Sequence, residues 1–92
     1  MNWELLSFIK SSKQRIQILM EFHSSITPTE LAKRTNLSPS HISRALKEFS
    51  EKDLVRLETP KKHIGRIYSL SEKGQEIQEV LKGGDIAEKY SK

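Results

Sequence analysis

Residues 27–52 read TPTELAKRTNLSPSHISRALKEFSEK. This stretch holds two helix starts and one helix stop. Thr27 is an N-cap, Pro28 suits the first helical position, and Glu30 follows at capping-box spacing. Ser38-Pro39 repeats the cap-then-proline signal. Between them Asn36 tolerates the left-handed backbone that ends a helix, and Leu37 gives the turn an apolar anchor. Two helices joined by so short a turn form a helix-turn-helix. In the second helix, 39–52, Ile42, Ala45, Leu46 and Phe49 make one apolar stripe. Ser40, His41, Ser43, Arg44 and Lys47 fall on the outer faces, a surface suited to a partner rich in acceptors and negative charge.

Working outward, Leu31 is the core residue of the first helix, and the small Ala32 lets the two helices cross closely. Upstream, a helix over 13–23 starts at Ser11 or Ser12, with Ser11 and Gln14 at capping-box spacing. Ile16, Leu19, Met20 and His23 form its buried face, and Ile18 and Phe22 widen that surface. Residues 24–26 break the helix, and Ile26 can add a short strand. The first ten residues, MNWELLSFIK, predict another helix with Leu5, Phe8 and Ile9 on one side. That helix either completes the core or, since a small domain has little core to spare for Trp3, makes a dimer contact.

Downstream of Lys52 the period changes. Residues 54–58 and 66–70 alternate and carry β-branched or aromatic side chains, as strands do. The loop between them has Pro60 and Gly65 at its ends and Lys61, Lys62 and His63 inside. A two-stranded hairpin needs a surface to pack on, and Tyr68 and Leu70 share the face that supplies it. Ser71 caps a last helix with Glu72 at its positive end. Ile77, Val80 and Leu81 line one side of it. Gly83-Gly84 predicts its stop, leaving 85–92 to add a turn around Ile86 and Tyr90 or to fray.

Ninety-two residues suffice for one small domain. Hydrophobic residues make up 35% and charged residues 30%, the balance of a globular chain. There is no cysteine, which excludes disulfides, thiolate chemistry and cysteine-based metal sites. No stretch has the length of a membrane span or the pattern of a secretion signal, so a cytoplasmic location is expected. The formal net charge is +4 and the pI about 9.5. Residues 33–66 hold nine Lys or Arg against four Asp or Glu, a net +5, and the rest of the chain nets −1. The positive excess therefore coincides with the helix-turn-helix and the hairpin, which points to nucleic acid.

The order helix, helix-turn-helix, two-stranded hairpin, helix resembles the winged helix-turn-helix transcription regulators of the MarR/ArsR-like type. The residues that carry the resemblance are 27–32 (TPTELA), 37–46 (LSPSHISRAL), Leu54-Val55 at the opening of the wing, and 68–74 (YSLSEKG) at its close. The last of these is similar to the family's Y-x-L-T-x-x-G, with Ser71 in place of Thr. The resemblance covers roughly residues 12–82. It implies an α+β, mostly α fold: a three-helix core, a two- to three-stranded β-wing, and flanking helices at both ends. One domain over 1–92 is expected, its core about 12–82, with 1–11 and 83–92 flanking. Asp53 stands where such sequences usually carry Gly. The ligand clusters that ArsR-type metal sensing needs are absent.

The function implied is a sequence-specific regulator of transcription on double-stranded DNA. Helix 39–52 would enter the major groove and the wing, 59–66, would follow the backbone or reach into the minor groove. Arg44 is the prime base reader, since its fork can bond guanine bidentately. Ser40, His41 and Ser43 are adaptable partners to bases or phosphate, and Lys47 meets phosphate one turn on. Thr29 can bond a phosphate beside the amides of its helix start. Lys61, Lys62, His63 and Arg66 serve the wing. Arg44 could instead pair with Glu48, four residues on, and Thr29, Lys33 and Arg34 could be ordinary solvated side chains. A homodimer is expected through the terminal elements, with Trp3, Leu6, Phe8, Ile77, Val80, Leu81 and Tyr90 as its candidate interface. No cofactor, metal or membrane partner is indicated, and no effector is specified. An enzyme is not indicated either, because His23, His41 and His63 lie on different elements without a carboxylate or nucleophile at a suggestive spacing. Two rivals remain: a winged helix used for protein contact within a larger assembly, and a sequence-general DNA-packaging protein. The first should carry apolar residues on the outer face of the recognition helix, and this chain does not.

Overall fold

Each helix begins where a short polar side chain can satisfy its free amides. Asn2 Oδ1 accepts from Leu5 N–H at 3.1 Å, Ser12 Oγ from Arg15 N–H at 3.3 Å, Thr27 Oγ1 from Glu30 N–H at 3.1 Å and Ser38 Oγ from His41 N–H at 3.2 Å. A computed structural model describes residues 2–58 and 66–90, with side chains through residue 83. The helices these caps open are α1 (Trp3–Lys10), α2 (Lys13–Met20), α3 (Pro28–Thr35) and α4 (Pro39–Glu51). Strands β1 (Val55–Leu57) and β2 (Tyr68–Leu70) and helix α5 (Glu72–Tyr90) complete the order. The wing loop, 59–65, lies outside the described residues.

The turn between α3 and α4 forms as its residues dictate. Asn36 adopts φ 60°, ψ 32°, the left-handed stop. The capping box at Thr27 is only half made, because the Glu30 carboxylate accepts from Arg34 Nε at 3.2 Å on its own helix. The expected α4 stripe is the buried one: Ile42, Ala45, Leu46 and Phe49 are at most 5% exposed. They meet Leu31 of α3 in a core that also takes Leu5, Leu6, Ile9, Ile18, Leu19, Phe22, Ile26, Leu54, Val55, Tyr68 and Ile77. Phe8 of α1 packs edge-on against Phe49, ring centroids 6.4 Å apart.

Of the two serines expected to start α2, Ser12 is its cap, and Ser11 closes α1. Other expectations are corrected. Helix α2 ends at Met20, not His23. Beyond Met20 the chain tightens, with Glu21 N–H bonded to Ile18 O and Phe22 N–H to Leu19 O. This turns Phe22 inward, so that Ile18, Leu19 and Phe22 are the buried set and His23 is exposed. Helix α5 runs through Gly83 and Gly84 to Tyr90. A glycine permits a left-handed stop but does not impose one, and inside a helix it costs only about 1 kcal/mol relative to alanine. Leu6 and Ile77 are 8% and 1% exposed in the chain's own core, so they are not surface contacts.

The sheet is antiparallel with Val55 opposite Leu70, Arg56 opposite Ser69 and Leu57 opposite Tyr68. Ile26 adds a single bridge on the far side of β2, exchanging both backbone bonds with Tyr68 at 2.8 Å. That bridge is all there is of a third strand among the described residues. It ties the entry to α3 onto the base of the wing.

Between α4 and β1 the chain turns on Asp53, which takes φ 61°. A left-handed backbone costs an L-residue about 1–2 kcal/mol. The Asp53–Lys73 pair, 3.8 Å apart and largely exposed, offsets little of that. Asp53→Gly should therefore stabilise the fold by about 0.5 kcal/mol after the larger unfolded-state entropy of glycine is allowed for. Thermal melting checks this, with a rise of a few degrees expected.

Candidate nucleic-acid interface

The outer face of α4 is set by the stripe beneath it. With Ile42, Ala45, Leu46 and Phe49 turned inward, Ser40, Ser43, Arg44 and Lys47 are exposed and His41 is half-buried. Four of the five sequence-predicted α4 residues are thus solvent-facing, and His41 lies in the groove against α2, beside Arg44. Thr29 is exposed at the second position of α3, beside the amides of that helix start. Arg66 is exposed at the base of the wing. Lys61, Lys62 and His63 lie outside the described residues.

A groove runs between α4 and the wing. It is lined by Pro28, Ser43, Leu46, Lys47, Ser50, Leu57, Arg66 and Tyr68, with a volume of about 430 Å³. Lys47 and Arg66 therefore flank one cleft from opposite elements. Leu57, 53% exposed on the outer side of β1, sits in that cleft together with Ser50. Neither was singled out by sequence reasoning. Ser50 follows Lys47 by three residues and so falls on the same face of α4. An exposed leucine on a three-residue strand between Arg56 and Glu58 is a weaker signal, legible only in hindsight from strand alternation.

The Arg44–Glu48 pairing does not form. Glu48 Oε1 is held by Arg15 Nε from α2 at 3.6 Å. Arg44 makes no ion pair or hydrogen bond among the described residues, so its fork is free. Arg34 is committed to Glu30, and Lys33 is exposed on the same helix. His23, expected at a packed helix end, instead lines two shallow surface cavities near Ser24 and Ser25. Among the described residues no three His, Cys, Asp or Glu side chains gather as metal ligands would. No helix of the described residues is long and apolar enough to cross a membrane.

The family model of the MarR family matches residues 2–63, 62 of the 92 residues. This chain belongs to the MarR family. Its fold agrees with solved winged-helix structures. Reduced MarR from E. coli is 28% identical with a TM-score of 0.69, covering 83% of this chain and 58% of the E. coli one. This chain thus spans little more than half the length of that family member. A TubR mutant from type III plasmid segregation is 22% identical with a TM-score of 0.79, covering 90% of this chain and 91% of its own. ZitR from Lactococcus lactis, solved in complex with DNA, is 22% identical with a TM-score of 0.67, covering 85% and 56%. At that identity the last two attest the fold alone. No curated protein matches the chain. Within this MarR-family fold, α3–α4 is the helix-turn-helix and β1–β2 the wing.

Proposed function

We propose that this chain is a sequence-specific double-stranded DNA-binding regulator of transcription, acting in the cytoplasm as a homodimer. Helix α4 enters the major groove and the wing follows the backbone or minor groove. The observation that carries the reading is the unpaired Arg44 at the centre of a polar α4 face, with Lys47 and Arg66 bordering the adjoining cleft. Arg44 reads a base, Ser40, His41 and Ser43 adapt to bases or phosphate, and Lys47 and Thr29 hold phosphate. Arg66 holds phosphate at the wing base, and Lys61, Lys62 and His63 extend that contact along the wing. Membership of the MarR family and the DNA complex of the similarly folded ZitR support it.

Dimerisation uses the terminal helices. Trp3 projects from α1 at 69% exposure, and Val80 and Leu81 remain half-exposed on α5. Phe8, whose ring also packs on Phe49, and Tyr90 complete the proposed interface. A two-fold dimer reads half-sites about 34 Å apart, one DNA turn, or a multiple of that. Selection of bound duplexes from a random pool tests the reading. Enrichment of a palindrome at that spacing is expected, with affinity falling steeply as salt rises. Binding without enrichment would instead mean sequence-general packaging. No duplex binding at low salt would mean a protein partner and would overturn the proposal.

A further inference from the structure

The one carboxylate within reach of Arg44 on its own helix is Glu48, and a residue outside the DNA-facing surface controls it. Arg15 is anchored from α1. Its Nη1 donates to Phe8 O at 3.0 Å and to Ser11 Oγ at 2.9 Å, and its guanidinium lies 4.0 Å above the Phe8 ring. Its Nε reaches Glu48 across the α2–α4 groove, whose walls include His41 and Arg44. Arg44 and Glu48 are one helical turn apart, the spacing at which such side chains pair. Two arginines therefore face one carboxylate, and the one anchored on α1 holds it.

We propose that Arg15 is a positioning residue for DNA readout: it engages the Glu48 carboxylate and so leaves the Arg44 guanidinium available to a base edge. The inference rests on the DNA-binding reading above. Without Arg15, Glu48 turns to Arg44 and occupies its guanidinium. Loss of Arg15 then lowers the affinity for the cognate duplex although Arg15 touches no DNA. The loss depends on both Glu48 and Arg44.

The test is a set of full-chain variants titrated against the best duplex from the selection. Arg15→Gln is expected to weaken cognate binding about three- to tenfold. Adding Glu48→Gln should return it to within about twofold of Glu48→Gln alone, and in an Arg44→Ala background Arg15→Gln should change nothing further. If Arg15→Gln does not fold, Arg15→Met keeps the apolar stem over Phe8 and carries the same expectations. A loss that persists with Glu48→Gln, or in the Arg44→Ala background, overturns the proposal, as does no loss at all. NMR of the free protein separates this from the wider reading. The Arg44 Nε–H and Glu48 carboxyl resonances should shift together when Arg15 is replaced, whether or not the chain binds DNA. Wild-type chain that binds no duplex overturns the proposed function, and unmoved resonances overturn the competition for Glu48.

Discussion

Arg44→Ala is expected to cost about 1–3 kcal/mol of affinity for the cognate duplex, roughly 5- to 150-fold, with much less effect on a scrambled one. Arg44 is exposed and unpaired, so its removal leaves no buried partner and opens no cavity. Thermal stability should therefore stay within about 0.5 kcal/mol of the wild type. Anisotropy titrations at one fixed salt concentration, with cognate and scrambled duplexes side by side, read the difference. Lys47→Ala supplies the contrast. A phosphate contact carries no sequence information, so both duplexes should weaken together and the salt slope should fall by about one. Equal losses on the two duplexes for Arg44→Ala would remove it as the base reader. The recognition surface would then have to be sought around Ser50 and Leu57 in the cleft beneath the wing.

What could be read in advance divides along physical lines. The α3–α4 unit was legible because its signals are local and mutually consistent: two caps, two prolines, one left-handed residue and a single apolar stripe all specify the same boundaries. Helix α2 was half legible. Six apolar or amphipathic side chains fall within residues 16–23, and periodicity alone does not choose among the faces of a helix covered on more than one side. The choice was made by the chain leaving α2 at Met20, which swung Phe22 in and His23 out. The Gly83-Gly84 stop failed for a related reason, since a permissive residue is not an instruction. On the outer face of α4, the exposure of Ser40, Ser43, Arg44 and Lys47 followed from the stripe beneath them. The state of Arg44 did not. It depends on a carboxylate taken by Arg15, a residue distant in sequence and brought close only by packing α2 against α4. Long-range polar contacts of that kind leave no periodic trace.

Gly74→Ala is the stability change expected to be largest among single-methyl substitutions. The first turn of α5 is docked on the residue that opens the wing. Leu54 O accepts from Ser71 N–H at 2.9 Å, and Ser71 Oγ donates to Asp53 O while accepting from Gly74 N–H at 3.1 Å. This draws the helix so close that a Cβ on Gly74 would stand 2.1 Å from Leu54 O and 3.0 Å from Leu70 Cδ2. The nearer atom is backbone and cannot rotate away. Accommodating the methyl means parting α5 from β1, breaking the Ser71 bonds and opening the packing around Leu54, which is fully buried. A loss of about 3 kcal/mol, the upper part of the overpacking range, is expected in denaturant unfolding. Gly83→Ala is the matched control. It lies in the same helix with nothing within 4 Å of its would-be Cβ, so helix propensity alone acts and should stabilise by up to about 1 kcal/mol. The same methyl thus changes sign along one helix according to what it meets. If both substitutions stabilised, the close approach of α5 to Leu54 would be refuted, and with it the reason for a glycine at the close of the wing.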